Sequence, residues 1–250
     1  MIYSPTESLR FKKNIFRKTI EISNQFEIDK LKKDLSNFRV DILFLRINTL
    51  LKYEQYKLTN IGYTTLHCDS LVYYKCSLFH NQKEDLKNKL NFIIVTKNNY
   101  EILAEIIPLI FHNYQNHYYS NPLLDKDDIV DGYIEWVIKS IIEFKTDEIT
   151  WIVYNEFNEI VGFAKCSFNI KESSCEGILF GVLPNYSNGG IYTDLIRYTK
   201  NYFADLGIET MVVSTQLQNY AVQKIWAREK FHMYKSYDTY HINSLLNRLI

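Results

Sequence analysis

One stretch constrains this chain more than any other: Ile178-Leu179-Phe180-Gly181-Val182-Leu183-Pro184-Asn185-Tyr186-Ser187-Asn188-Gly189-Gly190-Ile191. Its first half is a run of strand formers and its middle is turn chemistry. Behind Gly190 begins an apolar pattern of helical period, Tyr192 to Leu206, which Gly207 stops. A strand that turns directly into a helix leaves the first backbone N–H groups of that helix unpaired, at the positive end of its dipole. Gly189 and Gly190 keep Cβ atoms out of the approach, and Asn188 tolerates left-handed backbone. Such a turn is a nest for a diphosphate, although two glycines before a helix also make ordinary turns.

The rest of the pattern supplies context. Strands are expected at 39–47, 71–78, 92–96, 149–154, 160–168, 177–182 and 210–215, with helices at 26–36, 48–58, 102–114, 128–144, 192–206 and 220–229. Phe231 to Ile242 reads as a terminal hairpin or strand pair. From Phe92 onward the order is βααβββαβαβ, an α/β domain on a mixed sheet. The polar stretch 81–89 reads as a linker, which divides the chain into 1–90 and 91–250. An internal echo crosses that division, because Asp41 to Tyr63 and Glu209 to Phe231 run strand, helix and aromatic at the same spacing. The N-terminal part therefore reads as a partial copy of the last units of the C-terminal domain.

Composition excludes several partners. Basic and acidic side chains number 29 each, so no global field gathers nucleic acid or acidic membrane. Cys68, Cys76, Cys166 and Cys175 lack metal-ligand spacing, which reads as buried reduced thiols in a cytoplasmic protein, with no metal. No segment resembles a signal peptide, and the longest apolar run, near Ile106 to Phe111, is too short to span a bilayer.

Two motifs at this separation resemble the GNAT acetyltransferase superfamily. Asn185 falls at the Gln/Arg position of its pyrophosphate loop, Asn188 at the first glycine and Gly190 at the second. Downstream, Asn219 followed by the helix bearing Trp226, then Phe231, resembles the second signature. The resemblance implies a mixed-sheet acyl-CoA binding fold, with a partial GNAT-like domain before it. It implies acetyl-CoA as acyl donor, held by Val182, Leu183, Asn185, Ser187, Asn188, Gly189, Gly190, Ile191, Asn219 and Trp226. The family's chemistry is direct attack of an acceptor amine on the thioester, with a backbone N–H near Val182 as oxyanion donor where the strand splays from its neighbour at Val213.

Departures are specific. Asn188 replaces a glycine, Ser187 stands where a basic residue is common, and Lys230 stands where glycine is usual. Trp226 stands where many members carry a tyrosine acid, and an indole N–H donates a hydrogen bond but no proton at neutral pH. The candidate base is Glu176 or His117. The acceptor segment, with Tyr114, His117, Tyr118, Tyr119 and Asn121, is dense in rings and amides. It resembles acetyltransferases of nucleotide-linked amino sugars such as the dTDP-fucosamine enzymes, which implies that class of acceptor and admits a homodimer. Another small amine, an antibiotic or a protein N-terminus remains open as acceptor, as does a non-catalytic acyl-CoA sensing module.

Overall fold

The computed structural model describes residues 1–78 and 83–245. Asn81 and Gln82, the start of the expected linker, lie outside the described residues.

One mixed sheet of ten strands runs through both halves of the chain. In chain order its elements are β1 (Ile2–Tyr3), α1 (Pro5–Phe11), β2 (Ile15–Ile20), α2 (Ile28–Asn37), β3 (Ile42–Asn48) and β4 (Thr64–Ser77). These are followed by β5 (Leu90–Ile94), α3 (Glu101–Phe111), α4 (Asp127–Ile142), β6 (Glu148–Asn155), β7 (Ile160–Asn169) and β8 (Ser174–Val182). The chain closes with α5 (Ile191–Asp205), β9 (Thr210–Gln216), α6 (Tyr220–Arg228) and β10 (His232–Asn243). The order βααβββαβαβ expected from Phe92 onward is the order observed.

The terminal hairpin is corrected to the single strand β10, paired with β4 from His232 to Asn243 and with β3 from Tyr237 onward. The spatial order β3-β10-β4-β9 places the last strand of each half inside the other. The pairing with β4 runs on across a register shift between Met233 and Lys235, so the chain does not turn back at Tyr234 to Ser236. The expected helix after β3 is instead a 3-10 segment over Thr49–Asn60. The first twenty residues, where no element is expected from sequence, contribute β1, α1 and β2. β2 runs parallel to β3, and its Arg17 and Lys18 hide the strand from a hydropathy reading.

Alternation of side chains across the sheet sorts the core into layers. Leu43, Leu45 and Ile47 of β3 pack with Leu31 and Leu35 of α2 on one face. Ile42 and Phe44 point to the other, against Phe11, Leu124 and Ile129. In the second half Trp151, Met211, Val213 and Trp226 meet Ile196 and Phe203 of α5. Ile152 and Phe163 meet Ile107 of α3 and Val137 of α4 on the opposite face. Lys165 of β7, fully buried, pins that layer: its ammonium meets Glu148 at 2.6 Å, the Ser140 hydroxyl and the Val137 carbonyl of α4.

All four cysteine thiols are free, and burial pushes those of Cys68 and Cys76 up to about 12. No helix among the described residues is long and apolar enough to cross a membrane.

Candidate functional site

The site begins with a failure of strand pairing. β8 and β9 run parallel and pair from Ser174–Thr210 to Gly177–Val213, where the ladder stops although both strands continue. The cause is on the other edge of β8. Between Gly177 and Leu179 the register against β7 shifts by one, leaving Ile178 as an extra residue. A bulge bends and twists its strand, and this one turns β8 away from β9, leaving its β9-facing edge open from Ile178 to Val182.

That opening leads to the glycine turn. Leu183 is still anchored, N–H to the Val161 carbonyl at 2.9 Å, and a single 3-10 turn covers Pro184–Tyr186. Asn188 then takes φ 71° and Gly190 φ 82°, so left-handed residues bracket Gly189 and turn successive N–H groups to one side. Gly190 is the N-cap of α5, and the Asp194 N–H is bonded back to the Gly190 carbonyl at 3.1 Å. Among the described residues the N–H groups that precede it in the first turn of α5 have no backbone partner, which suits them to meet an anion. The geometry fits a diphosphate. Ser187 does not point toward the nest, because its hydroxyl is bonded to the Pro184 carbonyl.

A strap of chain before β5 lies along α5 and ends at this turn, which sequence reasoning did not find. Arg197 and Lys200 of α5 hold Glu84 at 3.2 and 3.1 Å. The fully buried Asp194 accepts from Lys87 N (2.8 Å), Asn88 N (3.0 Å) and Asn88 Nδ2 (2.8 Å), and Asn88 Nδ2 also reaches the Gly189 carbonyl at 3.0 Å. A Cβ placed on Gly190 would meet Lys87 Cδ at 3.3 Å, so this lysine stands beside the nest. Asp194→Ala strands these donors. It is expected to lower the unfolding free energy by about 2–3 kcal/mol, measured by chemical denaturation, and unchanged stability would show that the strap is held elsewhere.

On the α3–α4 side of the sheet the opening meets a cleft of about 440 Å³. Its floor carries Arg46 of β3, Leu71 and Tyr73 of β4, Ser214 to Gln216 of β9, and Glu176 of β8. Its walls are α1, α4 and the segment Tyr114 to Tyr118, so both halves of the chain build it. Glu176 is open to solvent in the cleft yet walled by protein, which raises its carboxyl pKa above the usual range, against the opposing pull of Lys235 and Arg46. Tyr114 donates to the Gln216 side-chain oxygen and lies 3.4 Å from the Thr215 hydroxyl, which also takes a 3.0 Å bond from Asn219 Nδ2. Burial raises the Tyr114 phenol, so it stays protonated. Asn219 and Tyr114, from separate motifs, are thereby brought together.

The other sequence candidates divide. His117 lines the cleft but is buried, with its Nδ1 2.7 Å from His241 Nε2. Asn121 Nδ2 is 3.0 Å from His241 Nδ1, and the Asn121–Asn243 amide pair orients it as a donor. His241 therefore carries its proton on Nε2 and donates to His117 Nδ1, leaving Nε2–H as the other end of a neutral His117. Burial lowers both imidazoles, His241 to about 3. His117 is thus a fixed donor, and the expectation of a base there is corrected.

Tyr118 lines the cleft with its hydroxyl on Glu7. Tyr119 packs beside Phe11 and Leu124, and Asn121 is buried in the histidine network, so neither lines the cleft. Trp226 is also corrected as a catalytic group: it is 3% exposed, its Nε1 has no hydrogen-bond partner within bonding geometry among the described residues, and its ring packs on Tyr74 and Phe231.

Comparison with known proteins agrees with this geometry. Residues 109–231 match the acetyltransferase (GNAT) family. No curated protein sequence matches the chain. Among solved structures, a conserved protein of unknown function from Staphylococcus epidermidis aligns over 97% of this chain and 90% of its own, at TM-score 0.61 and 13% identity. The tandem GNAT protein of the clavulanic acid biosynthesis pathway aligns over 85% of this chain and 67% of its own, at TM-score 0.56 and 8% identity. A GCN5-related N-acetyltransferase from Kribbella flavida aligns over 88% and 77%, at TM-score 0.55 and 11% identity. Such identities show a shared fold only. The family match lies on the bulged β8, the glycine turn and Asn219, so residues 109–231 are the part of this chain that is similar to the GNAT acetyltransferase family.

Proposed function

We propose that this protein is an acyl-CoA-dependent N-acyltransferase that moves an acetyl group from acetyl-CoA to the amine of a small acceptor. The observation that carries the reading is the β8–β9 opening, with an anion nest at one end and the polar cleft on one face. The coenzyme supplies an activated acyl group. Its diphosphate is assigned to the N–H groups at Gly189, Gly190 and Ile191, with Lys87 beside them, and its pantetheine arm to the free edge of β8 between Ile178 and Val182.

In the cleft the amine attacks the thioester carbonyl. A C–N bond forms, the C–S bond breaks, and the ammonium proton passes to Glu176. Glu176 suits that role because its raised pKa brings it nearer the working pH. The leaving sulfur needs a proton donor, and Tyr114 replaces Trp226 in that assignment: it is protonated, lines the cleft and is held by Gln216 and Thr215. The acceptor class we favour is a nucleotide-linked amino sugar, supported by the rings of Tyr73, Tyr114, Tyr118 and Trp136 around the cleft.

Two measurements test this. Acetyl-CoA is expected to raise Tm, and thiol release is expected with nucleotide-linked amino sugars. No stabilisation at millimolar acetyl-CoA would sink the reading. Release with simple amines alone would reject the sugar, and stabilisation without release for any acceptor would leave a sensing module.

A further inference from the structure

The cations that line the cleft are nearly all spoken for. Arg17 holds Glu7, Arg10 holds Glu135 at 2.8 Å, Lys139 stands 3.8 Å from Glu143, and Lys145 holds Glu148 at 2.9 Å. Arg46 differs. It projects from the floor strand β3 into the cleft, and among the described residues its guanidinium makes no ion pair and no side-chain hydrogen bond. The carboxylates that feel its charge are Glu176 across the cleft and Asp69 on the floor. Neither comes within ion-pair reach. The carboxylate oxygens of Asp69 are sealed from solvent, near Thr239 and Gln216, so Asp69 is not available to a ligand.

A guanidinium is a rigid fork of five donors that matches carboxylate and phosphate oxygens. Left unpaired in a polar cleft, it presents that fork to whatever enters. Among the described residues that line the cleft, Arg46 is the cation and Glu176 the carboxylate that stand outside an ion pair. The occupant complementary to that pair is dipolar, with an amine toward Glu176 and a negative group toward Arg46. A polycationic acceptor would place charge against Arg46 and is disfavoured.

We propose that the acceptor amine carries a carboxylate or a phosphate, and that Arg46 is the residue that binds this anion. The proposal rests on the N-acyltransferase reading for the identity of the amine end, but the anion contact can be measured without turnover. The probes are matched pairs that differ in the negative group: glucosamine 6-phosphate against glucosamine, and glycine against glycinamide. Calorimetric binding in the presence of CoA is expected to favour the anionic member of at least one pair by tenfold or more. Whichever pair shows the preference tells phosphate from carboxylate.

Arg46→Gln is expected to erase that preference, and Arg46→Lys to keep part of it, with the affinity for acetyl-CoA unchanged in both. In turnover the loss is expected in KM, with kcat preserved. Equal binding within both pairs, or a preference that survives Arg46→Gln in a folded variant, would overturn the proposal. A retained anion preference without any stabilisation by acetyl-CoA would overturn the acyltransferase reading instead and leave Arg46 as an anion site.

Discussion

Gly190→Glu is expected to reduce the affinity for acetyl-CoA at least 100-fold, about 2.7 kcal/mol, as read by calorimetry or by loss of the thermal shift. Three effects add at one position. The backbone at Gly190 has φ 82°, and a side chain in left-handed backbone costs about 1–2 kcal/mol. A Cβ there sits 3.3 Å from Lys87 Cδ, tighter than ordinary packing, so the strap must give way. The new carboxylate also stands where the first N–H groups of α5 converge, and repels the diphosphate they would hold.

Backbone strain can be separated from the site-specific terms. Gly207 closes the other end of α5 with φ 77° and has nothing near its missing Cβ. Gly207→Ala is therefore expected to lower Tm through similar strain while leaving coenzyme affinity intact. Unchanged affinity in a folded Gly190→Glu protein would place the diphosphate elsewhere.

The second large effect is expected at Glu176. Glu176→Gln keeps the shape and hydrogen-bonding reach of the side chain but removes the base, and kcat is expected to fall by about 10²–10⁴-fold with little change in coenzyme affinity. The pH profile supplies a signature that a merely structural role would not give. Burial raises the Glu176 pKa above its usual 4.5, and only the ionised form accepts a proton. Wild-type activity should therefore fall as pH drops through that raised value, and the variant should lose this acid limb. Neither imidazole of the His117–His241 pair can supply the limb, because burial keeps both neutral at higher pH. An unaltered acid limb in Glu176→Gln would remove Glu176 from proton transfer.

Much of the second half is legible in the sequence. The turn from Asn185 to Gly190 could be read because its chemistry is local: strand formers, a proline, residues tolerant of positive φ, and a helix pattern behind them. The helices and strands from Phe92 to Arg228 followed from periodicity in the same way. Positions whose meaning depends on distant partners could not be read. His117 looks like a base in isolation, and becomes a neutral donor only because Asn121 and Asn243, on different elements, orient His241. Trp226 stands at the position of an acid, yet the space between α5, α6 and the sheet is filled by its ring. β10 could not be recognised as one strand, because both strands that pair with it come from the first half of the chain.

Arg46 marks the same boundary. Within its strand it is one charged residue among apolar ones, which by sequence alone is an edge or solvent position. The β3-β10-β4-β9 order brings it instead to the floor of a shared cleft, where the neighbouring cations find carboxylates and, among the described residues, it forms no ion pair. The glycine turn that opens α5 is written in the local sequence, since it depends on backbone preferences over a few residues. Which cleft-lining charge lacks an ion pair among the described residues is settled by the assembled sheet, because such pairs join residues far apart in the chain that meet only there.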